Sequence, residues 1–162
     1  MTTDKLKVST IEQLVTFEVE HEEFAIPIED VYQIIFVPKL MTVPNSPEMI
    51  KGVINLRNEI IPVLDARAAF GFSSIPHARQ HRIIIIQSEF ITAGLIVDRV
   101  IQVLQTAPAK FDHVPSATSS QQNQYLEKVY KTDERIIMLL NVNKMLNDQN
   151  MNFIRKHNYS TD

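Results

Sequence analysis

The chain of 162 residues contains no cysteine and no tryptophan, and only three glycines. Without cysteine there is no disulfide framework, no thiolate zinc site and no cysteine nucleophile. No apolar run approaches the roughly 20 residues that a membrane-spanning helix needs. The opening residues, MTTDKLKVST, lack the apolar core of a signal peptide, so a cytoplasmic location is expected. Charge is nearly balanced, with 16 basic and 19 acidic residues. No block of one sign points to nucleic acid or an anionic membrane. Nucleophile elbows, phosphate loops and dinucleotide fingerprints are missing too, which leaves no catalytic residue to nominate. His77 and His81 stand four apart, a spacing that suits a metal only on a helix. Pro76 precedes them and the segment reads as a solvated loop, so no metal is expected. Glu22 with Glu23, and Asp133 with Glu134, fall in expected turns, where solvation explains the charge.

What is present is a series of short β-branched runs. Residues 1–11 read as a loose tail. Val15, Phe17 and Val19 alternate with polar residues, as in a half-buried strand. Phe24, Ile26 and Ile28 repeat the pattern after a charged turn, with Pro27 suited to an edge or bulge. Glu29 and Asp30 can start one helical turn before Val31 and Ile34. Asn45, Ser46, Pro47 and Glu48 resemble a helix start with room for only a turn or so. Gly52 to Phe72 then reads as strand, turn, strand and a short helix, with Asp65 as its cap and Gly71 in a left-handed position at its end. Arg82 to Gln87 reads as a strand covered on both faces. Phe90 to Val97 is another strand, interrupted by Gly94, and the apolar pattern continues to Leu104. Residues 105–122 read as a long polar connection, Tyr125 to Leu140 as a last hairpin, and Asn141 to Leu146 as a short helix. About nine short strands and few helical turns predict an all-β barrel or sandwich.

Arg57 at the tip of the central hairpin has two readings. One is a solvated turn charge, or an ion pair with Glu59 or Asp65, which contributes little when exposed. The other is a guanidinium held between two rigid strands for a partner's carboxylate or carbonyl. Exposed valines such as Val31 or Val100 would support the second by forming an apolar patch.

Several segments carry a family resemblance. FAIPIEDVYQII (24–35) resembles Y-G-I-P-I-x-x-V-x-E-I-I. VPNSPEMIKGVINLRNEIIPVLDARAAFGF (43–72) resembles V-P-x-x-P-x-x-I-x-G-V-I-N-L-R-G-x-I-I-P-V-I-D-L-R-x-x-F-G. GLIVDRVIQVL (94–104) and RIIMLLNVNKML (135–146) match as well. The chain thus resembles the CheW-like chemotaxis adaptor family from Gln13 to Leu146. The resemblance implies two SH3-like five-stranded β-barrels sharing a hydrophobic core, with short helices, no catalytic site and no cofactor. It implies a domain over 12–147, between the tail of 1–11 and a polar tail of 148–162. It also implies an adaptor joining a chemoreceptor cytoplasmic tip to the regulatory domain of a CheA-type histidine kinase. Arg57 matches the family's recognition arginine, and Val31, Ile34, Gly52, Gly94, Val100 and Val103 fall on matching partner-binding segments. Asn58 replaces a glycine of the motif, Ala25 another, and Lys128 to Lys131 replaces a glycine-containing run. Asn tolerates the left-handed conformation best, so the turn beside Arg57 is expected to survive. A related adaptor in a pilus-motility or other chemosensory pathway, and a small-ligand-binding β-barrel, are the alternatives.

Overall fold

The computed structural model describes residues 12–88, 91–106, 111–113, 124–131 and 134–146. The expected tails and most of the expected 105–122 connection lie outside them. Eleven strands form among the described residues. The middle of the chain makes a five-stranded sheet from β3 (Val31–Phe36), β4 (Ile50–Leu56), β5 (Glu59–Asp65), β6 (Arg82–Gln87) and β7 (Thr92–Val97), in the order β3-β6-β7-β5-β4. The two ends of the chain make the other sheet. It holds β1 (Glu12–Val19), β2 (Glu22–Pro27), β8 (Arg99–Thr106), β9 (Phe111–His113), β10 (Leu126–Lys131) and β11 (Ile136–Leu140), in the order β8-β1-β2-β11-β10-β9. Both are the strongly paired antiparallel sheets of SH3-like barrels, and the three-residue β9 is the sixth strand of the second. Each sheet also contains one parallel pair, β2 with β11 and β5 with β7. Two short helices follow strands: α1 (Ala66–Ala69) after β5 and α2 (Val142–Leu146) after β11.

Alternation along buried strands divides the core into three. Ile83 and Ile85 of β6 face a cluster inside the five-stranded sheet, with Ile54, Ile61, Val63 and Ile96. Ile84 and Ile86 of the same strand face a larger cluster with Phe17, Phe24 and Ile26 of the other sheet and Leu140, Met145 and Leu146 of the C-terminal segment. Leu14, Ala25, Ile137 and Leu139 form the third cluster, inside the six-stranded sheet. One strand of four isoleucines therefore serves two cores, because successive side chains point to opposite faces. Each fully buried isoleucine contributes roughly 1.5–3 kcal/mol, and this joins the two sheets through a common interior.

Local signals explain the connections. The Asp65 side chain accepts from the Arg67 backbone N–H at 3.1 Å and caps α1, and Gly71 ends that segment at φ 84°. Asn141 caps α2 by accepting from the Lys144 N–H at 2.9 Å. The helical turn expected at Glu29 and Asp30 is present as the 3-10 turn Ile28–Asp30, and the strand Val31–Phe36 follows it. Three expectations need correction. Residues 44–49 form turns rather than a helix, since β4 starts at Ile50 and draws the chain into its ladder. Gly94 does not interrupt β7, which runs without a break. The 105–122 connection contains the end of β8 and the strand β9. The middle of β1 is also buried on both faces: Thr16 is fully buried and donates its hydroxyl to the Gln102 carbonyl at 3.2 Å.

Candidate functional site at the β4–β5 turn and the outer face of β3

The β4–β5 hairpin closes in two residues. Leu56 pairs with Glu59, and Arg57 and Asn58 between them have φ of 52° and 67°. Positive φ at both central residues is what a tight hairpin turn matching the strand twist requires. Asn58 thus takes the left-handed conformation expected of it. Arg57 takes it too, at a cost of order 1 kcal/mol, which persists only where flanking strands impose it. The exposed side chain folds back toward β3. Its Nη1 donates to the Tyr32 hydroxyl at 2.6 Å, and the guanidinium carbon lies 5.6 Å from the Tyr32 ring centre. Neither Glu59 nor Asp65 pairs with it. Asp65 instead meets Lys51 at 3.6 Å and Ser74 at 3.0 Å. A small cavity of about 70 Å³ opens beside the arginine, lined by Tyr32, Leu56, Glu59, Ile61, Gln87 and Thr92.

β3 is an outer strand of its sheet. Val31, Gln33 and Ile35 are half-buried, whereas Tyr32, Ile34 and Phe36 are 47%, 40% and 72% exposed. Along an outer face that usually carries polar residues, all three are apolar or aromatic. The Arg82 guanidinium carbon sits 4.3 Å from the Phe36 ring centre, a cation–π arrangement.

The residues drawn from the family resemblance fall into separate groups. Arg57 and Ile34 share the exposed side of the five-stranded sheet with Tyr32. Val31 and Val100 are half-buried against the shared core. Val103 is 51% exposed on β8, an outer strand of the six-stranded sheet. Gly52 and Gly94, placed on contact segments by the resemblance, are buried. A Cβ on Gly52 would stand 2.4 Å from the Met41 carbonyl oxygen, where residue 41 bridges to Val53. One on Gly94 would stand 2.7 Å from Ile83 Cγ2. Both glycines are there for close packing behind the surface. Tyr32, Phe36 and Arg82 escaped the sequence reading; the available signal was a run of apolar and aromatic residues too dense to alternate.

A second charged cluster lies where the chain crosses between the sheets. Asp98 follows β7 and precedes β8. Arg67 donates Nε to Asp98 Oδ1 at 2.9 Å and Nη2 to Oδ2 at 2.6 Å, and also pairs with Glu20. The Glu20 N–H donates to Asp98 Oδ2 at 2.9 Å. Burial works to raise the Asp98 carboxyl, but the hydrogen bonds from Arg67 and Glu20 and the charge of Arg67 outweigh it and hold it below 3.8. The network ties α1 of one sheet to the β1–β2 turn of the other. Glu23 pairs with Arg135 in the same structural manner, rather than being merely solvated. His81 is buried, not solvated, and its Nδ1 accepts from the Ala78 N–H at 3.1 Å. Burial pushes its imidazole below 6.5.

Among the described residues no group of three His, Asp or Glu side chains is placed to hold a metal, and no helix is long and apolar enough to cross a membrane. The described residues thus combine a double β-barrel with an exposed arginine and an apolar outer strand face. The chain belongs to the CheW-like domain family, whose model matches residues 13–150. It is 27% identical over 151 residues to the chemotaxis protein CheW of Klebsiella aerogenes, covering 93% of this chain and 91% of that protein. It is 28% identical to the chemotaxis protein CheW of Bacillus subtilis, covering 88% and 92%. Protein PilI of Pseudomonas aeruginosa is 29% identical over 104 residues, 64% of this chain and 54% of that protein. The crystal structure of the scaffolding protein TtCheW from Thermoanaerobacter tengcongensis superposes with a TM-score of 0.79 at 29% identity, covering 87% of this chain and 96% of that one.

Proposed function

We propose that the chain is a non-catalytic adaptor that couples a chemoreceptor cytoplasmic tip to the regulatory domain of a CheA-type histidine kinase. One observation carries the reading. In a chain that matches the CheW-like family along most of its length, Arg57 stands on a turn of positive φ beside an exposed apolar strand face, with a phenol as partner and no carboxylate among the described residues. A guanidinium so placed keeps donors free for a planar acceptor on another protein. Ile34 and Val103 supply exposed apolar contact, and Val31 and Val100 line the junction where the sheets meet. Gly52 and Gly94 set the strand geometry behind them. The adaptor acts as a coupling element: it binds both partners at once and lets a change in one bias the other's equilibrium, a coupling of free energies rather than a reaction.

The test is a pull-down of the kinase regulatory domain and of a receptor-tip fragment by the wild type, Arg57→Ala and Arg57→Glu. The wild type retains both, and Arg57→Glu loses at least one. Equal retention by all three removes Arg57 from the interface. Failure of the wild type to retain either refutes the adaptor reading.

A further inference from the structure

We propose that the outer face of β3 is a two-ended recognition stripe, with Arg57 at one end and Arg82 at the other. It takes a partner segment that carries an apolar residue between two acidic groups. The proposal rests on the adaptor reading and names the partner's chemistry at that surface.

Three observations meet here. Tyr32, Ile34 and Phe36 all point outward from an outer strand and are exposed. Contiguous apolar side chains on such a face mark an interaction surface. Each end of the row then holds an aromatic ring with a guanidinium against it, Arg57 on Tyr32 and Arg82 on Phe36. A planar, weakly hydrated cation resting on a ring is already positioned, so little further ordering is needed when an acceptor arrives. Finally, neither cation pairs with an acid among the described residues. Arg57 donates to a phenol, and Arg82 donates Nη1 to the backbone carbonyls of Arg79 at 2.8 Å and His81 at 2.9 Å. Arg67, Arg99 and Arg135, by contrast, each pair with a carboxylate of this chain. The stripe therefore has positive ends, an apolar middle and no ion pair to either cation among the described residues. At about 3.3 Å per strand residue, Tyr32 and Phe36 are roughly 13 Å apart. The complementary segment places its two acids at about that distance.

The experiment measures dissociation constants of the kinase regulatory domain and of a receptor-tip fragment, each separately, for the wild type, Arg57→Glu, Arg82→Glu and Phe36→Ala. Arg57 and Phe36 are exposed and Arg82 is half-buried, and an unchanged melting temperature verifies the fold. If charge reversal at 82 lowers it, Arg82→Gln replaces that variant. Arg82→Glu is expected to weaken at least one partner about tenfold or more, because it sets like charges face to face. Phe36→Ala weakens the same partner by a smaller factor, and replacing the partner's facing acid by lysine restores binding to Arg82→Glu. Binding of both partners by Arg82→Glu within twofold of the wild type, with Arg57→Glu defective, overturns the stripe and leaves the adaptor reading standing. Unchanged binding by both reversals overturns the stripe together with the role of Arg57. A loss that no acid-to-lysine change in the partner restores overturns the paired-acid chemistry.

Discussion

The β1–β2 and β4–β5 hairpins close on turns of the same backbone form, Glu20–His21 with φ of 52° and 64°, and Arg57–Asn58 with φ of 52° and 67°. Their charged residues are used in opposite ways. Glu20 is drawn inward: its carboxylate meets Arg67 and its N–H meets Asp98. Among the described residues Arg57 meets Tyr32, and it stays at the surface. Neither turn uses glycine, so each accepts backbone strain that the flanking ladder must impose. In the first, the strain is offset by a cross-sheet network. In the second, no carboxylate among the described residues pairs with the charge it positions. Turn geometry alone does not separate a structural charge from a recognition charge; the presence of an internal counter-ion does.

The comparison can be broken most severely at the junction. Arg67→Ala leaves Asp98 partly buried without its cation and is expected to cost about 3 kcal/mol of stability. Urea unfolding measures it, and the folded fraction still binds partners. Arg57→Glu does the reverse: partner affinity falls about tenfold or more, roughly 1.4 kcal/mol or above. The unfolding free energy moves within about 0.5 kcal/mol, as for a surface position. Asn58→Ala is expected to destabilise by about 1 kcal/mol, since alanine tolerates positive φ less well than asparagine, and thermal melts beside Asn58→Gly, which keeps the conformation, resolve it.

How much of this was legible in the sequence depends on what each face packs against. β6 was readable because RIIIIQ is covered on both sides. The β4–β5 hairpin, the Asp65 cap and Gly71 were readable because turn chemistry is local. β3 was not, because Tyr32, Ile34 and Phe36 alternate with half-buried Val31, Gln33 and Ile35. When the exposed face is also apolar, the period of two disappears. Gly52 and Gly94 were read as contact-segment residues, and in the structure their lack of a side chain serves the packing of Met41 and Ile83.

Acid sharpens the contrast with the smallest effect. Asp98 is held below its ordinary 3.8 in the folded chain. Its contribution to stability is therefore complete above about pH 4 and is lost as the pH falls through the lowered folded value. His81 is held below 6.5 by burial, so the unfolded chain takes up a proton first as the pH drops below 6.5, and stability falls there too. Chemical denaturation from pH 7 to pH 3 reports both. Arg67→Ala flattens the more acidic part of the profile, whereas Arg57→Ala leaves the profile as it is in the wild type.

The most direct measurement is the affinity of Arg57→Glu for the kinase regulatory domain and the receptor tip, taken together with its melting temperature. The expected result is loss of at least one interaction at an unchanged melting temperature. Wild-type affinity for both partners would contradict it, as would a loss that merely follows unfolding.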